Sequence, residues 1–188
     1  MSLLASGYFF LAQLFQENAA LKGTKDSWIE FEHALTLAQA QHARQSALAT
    51  MAGNAQVIQA FQNGFDFNTQ MKKAENLYKN ALFAGDRYNP LDRIFRSDAA
   101  NNLGYIQMSR SAAEPAAQAY LEALHWDSQS EFARLGLALV ALSQGALEES
   151  VTHFEWVANN PTNLAAKLRA HLWMIKIARD IGQKDLEQ

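Results

Sequence analysis

Two stretches of the chain repeat each other at one fixed offset, the distance from Leu103 to Leu137. Nothing else in the sequence constrains the fold as strongly. The first holds Leu103, Gly104, Ala116, Tyr120, Ala123 and Leu124; the second holds Leu137, Ala138, Ser150, Phe154, Val157 and Ala158. Counterparts match in size and polarity: Leu with Leu, Gly with Ala, Ala with Ser, Tyr with Phe. A fixed period of this length marks supersecondary units that bury their apolar faces only by stacking on neighbours. Small residues at Gly104, Ala116, Ala123 and Ala138 let antiparallel helices approach closely. Tyr120 and Phe154 fill the space between successive hairpins and are expected in the core.

A length of 188 residues predicts one domain or one short repeat array. The 49% hydrophobic content suffices for a continuous core, and 3 Pro with 9 Gly are too few for a sandwich of many tight turns. Ala, Leu, Gln and Glu dominate, and all favour helix. A net charge of -3 argues against a general nucleic-acid binder, which needs a basic face to neutralise phosphates. Without cysteine there is no disulfide framework and no thiolate metal site. That absence suits cytoplasm and periplasm equally, so the compartment stays open. The apolar run from Leu3 to Phe15 is shorter than the about 20 residues of a spanning helix. It lacks the basic start of a signal peptide. It reads as a core-facing first helix, with the end of a membrane anchor in a longer parent protein as the alternative.

Helix punctuation recurs along the chain. Ser27 with Glu30 forms a capping-box pattern that opens a helix reaching Met51, stopped by Gly53, with a break near Gln41 as an alternative. A short helix follows over 55–63, ended by Gly64. Asp66 or Asn68 caps the next, which carries Met71, Ala74, Leu77, Tyr78, Ala81 and Leu82 at helical spacing. Gly85 to Phe95 is turn-rich and reads as the longest irregular stretch. Ser97 or Asp98 caps a helix through Met108. Ser111 with Glu114 forms a second capping-box pattern, and Pro115 suits the first turn of a helix to Trp126. Three more helices are predicted over 128–143, 147–159 and 163–181, the last ended by Gly182. No strand is predicted.

Leu103-Gly104, Ala116, Tyr120 and Ala123 resemble the signature of the tetratricopeptide repeat, as do Leu137-Ala138, Gly145, Ser150, Phe154 and Pro161. That repeat is a helix-turn-helix unit of about 34 residues. Ala74, Tyr78, Ala81 and Leu82 give a weaker echo. Its Tyr78 precedes Tyr120 by more than one period, and the surplus is assigned to an insertion at Gly85 to Phe95. The resemblance implies an all-α fold, an α-α superhelix of tetratricopeptide-like hairpins with irregular N-terminal helices. It implies a single helical repeat domain over 1–188: irregular helices at 1–54, a degenerate repeat at 55–96, repeats at 97–130 and 131–164, and a terminal helix at 165–188.

No catalytic or metal-binding constellation stands out. His33, His42, His125, His153 and His171 make no metalloprotease-type pair. The carboxylates Glu30 and Glu32 beside His33 read as a solvated helix face, and His153 with Glu149 as a surface pair. The glycines form no phosphate loop. No cofactor and no enzyme activity are expected. The resemblance implies a concave face lined by the first helix of each hairpin. Asn101, Asn102, Tyr105 and Met108 would face it, with Leu135, Leu139 and Leu142 from the next repeat and Arg169, Trp173 and Lys176 from the last helix. Asn101 stands where the carboxylate clamp of chaperone-binding members has a Lys, so that ligand is not implied. The expected function is a non-enzymatic scaffold that binds a peptide or protein segment. The rivals are a structural or oligomerisation domain of a larger membrane or secretion-associated bacterial protein, and a small-molecule sensor. Homo-oligomerisation stays open, and membrane association is expected only through a parent protein.

Overall fold

The computed structural model describes residues 3–40, 45–62, 64–84, 89–160 and 162–186. Among these residues the fold is all-α, with nine helices and no strand. They are α1 (Leu3–Lys22), α2 (Lys25–Ala40), α3 (Gln45–Ala60), α4 (Phe67–Phe83), α5 (Pro90–Ser109), α6 (Ala113–Trp126), α7 (Glu131–Ser143), α8 (Leu147–Asn159) and α9 (Leu164–Leu186). The chain divides into two compact units, Met1–Leu103 and Gly104–Gln188, with the boundary inside α5.

In the first unit, Ala12 and Ala19 of α1, Trp28, Phe31, Ala34 and Ala38 of α2, and Ala47, Leu48, Met51 and Ala55 of α3 share one core. Alanines at the contacts let these helices lie close. Helices α3 and α4 form a hairpin around Tyr78. A Cβ on Gly53 would lie 2.5 Å from the Tyr78 ring, so the glycine admits the ring. The Tyr78 hydroxyl donates to Asn54 Oδ1 at 2.7 Å. Ser46 Oγ ties α3 to the end of α4 by donating to the Ala81 carbonyl at 2.8 Å.

Several helix boundaries depart from the sequence reading. Helix α2 ends at Ala40 and α3 begins at Gln45; the proposed break at Gln41 lies outside the described residues. Thr24, not Ser27, begins α2: its hydroxyl accepts from the Ser27 amide at 3.3 Å, and its carbonyl accepts from Ser27 Oγ at 2.8 Å. Gly53 sits inside α3 rather than stopping a helix, because its role is to make room for Tyr78. Gly64 does adopt the left-handed conformation (φ +90°) before α4, and Asp66 caps that helix by accepting from the Thr69 amide at 2.8 Å. Of the expected irregular stretch, 85–88 lie outside the described residues, and Pro90 opens α5, so Ser97 and Asp98 are helix-interior. Proline at the first helical position forgoes only an amide that has no intrahelical partner. The surplus in the upstream repeat is therefore largely helix: α5 has 20 residues against 13 in α7. The boundaries drawn at 54/55 and 96/97 fall inside α3 and α5.

In the second unit the period of the sequence repeat appears in the backbone itself. Ser111 closes α5 at φ 59° and Gly145 closes α7 at φ 78°. The Ala112 amide donates to the Gln107 carbonyl (3.0 Å), and its counterpart Ala146 donates to Ala141 (2.9 Å). Ser111 donates to Met108 (2.9 Å), and Gly145 to Leu142 (3.1 Å). These paired bonds satisfy the last carbonyls of each helix. Ser111 is thus spent on ending α5, and Ala112 starts α6 with no side-chain cap, so the Ser111–Glu114 capping box does not form. Tyr120 and Phe154 are both buried, as the repeat demands. The Tyr120 ring fits between two glycines: a Cβ would lie 2.5 Å from it on Gly104 and 2.3 Å on Gly136. Burial, with Tyr105 nearby, pushes the Tyr120 phenol up to about 12. Helix α9 runs through Gly182 instead of stopping there.

Candidate functional site

A concavity of the second unit lies where α7, α8 and α9 meet. It is a cleft of about 330 Å³ lined by Leu142, Leu147, Trp173 and Ile177, with Lys176, Asp180 and Ile181 at its edge. That volume is at the small end of the about 300–1,000 Å³ of ligand pockets, enough for one or two side chains.

The cleft is held by its surroundings. Ser130 caps α7 by accepting from the Ala133 amide at 3.4 Å, and Asn163 starts α9 in the same way, its Oδ1 accepting from Ala166 at 3.2 Å. Glu131, in the first turn of α7, is buried. Its carboxylate accepts from the Thr162 amide, from the Thr162 hydroxyl at 2.9 Å and from the Asn163 amide at 3.1 Å. A carboxylate at a helix N-terminus meets both the orphan amides and the positive end of the dipole. Glu131 thereby fixes where α9 begins relative to α7. Farther along α9, Trp173 lies parallel to Phe154, with an interplanar angle of 8° and centroids 6.3 Å apart. Lys176 places its ammonium 4.7 Å from the Trp173 ring centroid. A cation at that distance is attracted by the negative face of the indole. Asp180 pairs with Arg179 at 3.7 Å.

The arrangement offers an apolar floor, a rigid half-buried indole and a cation beside it. The lining contains no hydroxyl, thiol or imidazole. Among the described residues no group of three or more His, Asp or Glu is arranged to hold a metal ion, and no helix is long and apolar enough to cross a membrane. On the neighbouring α8, His153 is held below its ordinary range first by partial burial, then by Arg134, with Glu149 opposing.

The structure distributes the sequence-predicted residues unevenly. Trp173 and Lys176 line the cleft, and Leu139 packs with Trp173 against the core cluster of Leu135, Phe154 and Ala170. Leu135 itself is buried. Arg169 is exposed on α9, one and two turns before Trp173 and Lys176. Tyr105 is exposed and Met108 half-buried near the end of α5. Asn101 and Asn102 fall in the first unit. Asn102 is not a free amide: its Nδ2 donates to Asn54 Oδ1 at 3.0 Å, joining the Tyr78 network. Burial is what chiefly raises the Tyr78 phenol, with Asn102 opposing. On the Asn102 side the expected amide ladder is therefore tied to the network around Tyr78, whose buried hydroxyl needs a satisfied partner, although Asn102 itself is half-buried. The sequence reading missed Leu147, Ile177, Asp180 and Ile181. The i, i+4 spacing of Trp173 with Ile177, and of Lys176 with Asp180, is the signal that places them together.

Comparison with protein-family models returned no match, and comparison with curated proteins returned none either.

Proposed function

We propose that the chain is a non-enzymatic interaction scaffold, a tetratricopeptide-like stack of helical hairpins that binds a peptide or protein segment with the α7–α8–α9 cleft as its anchor. The observation that carries this reading is Trp173. A large aromatic ring backed by Phe154 loses little conformational freedom on binding, and Lys176 beside it adds a donor. Buried aromatic anchors in small desolvated pockets supply most of the energy of such contacts. The ligand that fits is an extended segment with one bulky apolar side chain and, next to it, a carboxylate or a free carbonyl facing Lys176. The recurrence of the Ser111 turn at Gly145, one period on, supports the hairpin-stack reading.

Selection from a random peptide display library on the immobilised chain tests this reading, with a Leu142→Asp variant as the counter-screen. The expected result is a set of sequences sharing an apolar residue adjacent to an acidic one, lost on the variant. Absence of enrichment, or enrichment retained on Leu142→Asp, would overturn it.

A further inference from the structure

Helix α9 is apolar on two opposite faces. Ala166, Ala170 and Ile177 point into the core. On the other side Leu164, Leu168, Leu172 and Ile175 form a stripe, and Leu172 and Ile175 are each 65% exposed. A helix apolar on both faces is expected to be covered on both.

The alignment of α9 with α7 at their N-terminal caps, one residue short of the sequence period, indicates what covers it. Counted from the caps Ser130 and Asn163, Leu168, Leu172 and Ile175 stand where α7 has Leu135, Leu139 and Leu142. In α7 those three belong to one apolar cluster with Phe154 and Val157 of α8 and the inward residues of α9. The stripe is therefore the face that in α7 is covered by helices, and its occupant is a helix. Charge then selects the helix. Arg169 and Lys176 border the stripe on one side, Lys167 on the other, and Arg179 stands at its C-terminal end, partnered by Asp180. A second copy of α9 fits poorly, since parallel and antiparallel pairing each bring basic rims together. A membrane surface fits less well than a helix, because the corresponding residues of α7 are covered by helices.

We infer that the outer face of α9 docks an amphipathic helix of another protein, one whose apolar stripe is flanked by Asp and Glu. Such an interface reads i, i+4, i+8 and i+11 anchors on α9, with rim pairs setting the choice of partner.

The test uses two designed helical peptides with the same Leu/Ile stripe, one flanked by Glu and one by Lys, titrated by fluorescence anisotropy against the full chain. The Glu peptide is expected to bind saturably, and about tenfold tighter than the Lys peptide, as expected for several rim pairs acting together. Leu172→Ser should abolish binding while leaving the far-UV CD spectrum unchanged, since Leu172 is exposed. Arg169→Glu with Arg179→Glu should reverse the preference. Equal binding of both peptides, no binding of either, or binding that survives Leu172→Ser would overturn the inference. So would Leu172-dependent dimerisation in sedimentation, or Leu172-dependent binding to phosphatidylglycerol vesicles; these assign the face to a second copy or to a membrane. Binding at the cleft depends on Leu142, and binding at this face on Leu172, so the two readings fail separately.

Discussion

Ser111 and Gly145, one repeat apart, hold the same left-handed backbone conformation at φ 59° and 78°, each closing a helix through the same pair of hydrogen bonds. Only the glycine adopts it without strain. A side chain in this region costs about 1 kcal/mol or more. Ser111→Gly should therefore stabilise the protein by about 0.5–1 kcal/mol, after the added freedom of the unfolded chain is subtracted. Urea unfolding checks this; an unchanged or lower midpoint would show that the turn gains something from the serine side chain.

The glycines facing Tyr120 should behave in the opposite sense. Alanine favours a helix interior over glycine by about 1 kcal/mol. At Gly136 its methyl would meet the Tyr120 ring at 2.3 Å, and the ring is walled in on its other side by Gly104. Overpacking costs about 1–3 kcal/mol and should win. Gly136→Ala is expected to lower the melting temperature. In a Tyr120→Ala background, itself destabilised by about 3–5 kcal/mol, the same change should become neutral or stabilising. Additive effects would contradict the packing described.

Glu131 should prove structural. Glu131→Ala leaves the Thr162 and Asn163 amides without their carboxylate, a loss of about 2–3 kcal/mol for charge-assisted bonds. Hydrogen exchange should quicken first in α9. Uniform loss of protection across the second unit would mean that Glu131 does not position that helix.

His153 predicts a pH dependence. Its pKa in the folded state is lowered, chiefly by partial burial. The unfolded chain then binds more protons than the native one as the pH falls through the ordinary histidine range of about 6.5. Stability should therefore fall between pH 7 and 5, and His153→Gln should flatten that slope. A wild-type slope unaffected by the substitution would remove His153 as its source.

The parts of this fold that were legible in the sequence are those set by side-chain size. Tyr120 and Phe154 had to be buried because small residues surround each of them at matching offsets. Helix α8 was readable because Gly145 and Pro161 bracket it. Boundaries failed where one residue type serves two purposes. Gly53 reads equally as a helix stop and as space for the Tyr78 ring on the next helix, and only the tertiary partner decides. Ser111 reads as an N-cap until the preceding helix needs a left-handed residue to end on. Asn102 read as a free binding amide because nothing local announces the distant Asn54 as its partner. Trp173 and Lys176 were legible as a pair through their helical spacing. The α7 and α8 walls of the cleft were not, because they depend on how the helices pack.

Calorimetric titration of a selected peptide tests binding at the cleft most directly. Wild type, Leu142→Ser and Lys176→Met should be compared at low and at high salt. Loss of a desolvated apolar wall should weaken binding by about 2 kcal/mol, roughly thirtyfold, at both salts. Loss of the rim cation should matter little, about two- to fivefold, and only at the lower salt. Equal affinity in wild type and Leu142→Ser, with all three proteins folded, would contradict the account and remove the α7–α8–α9 cleft as the binding site.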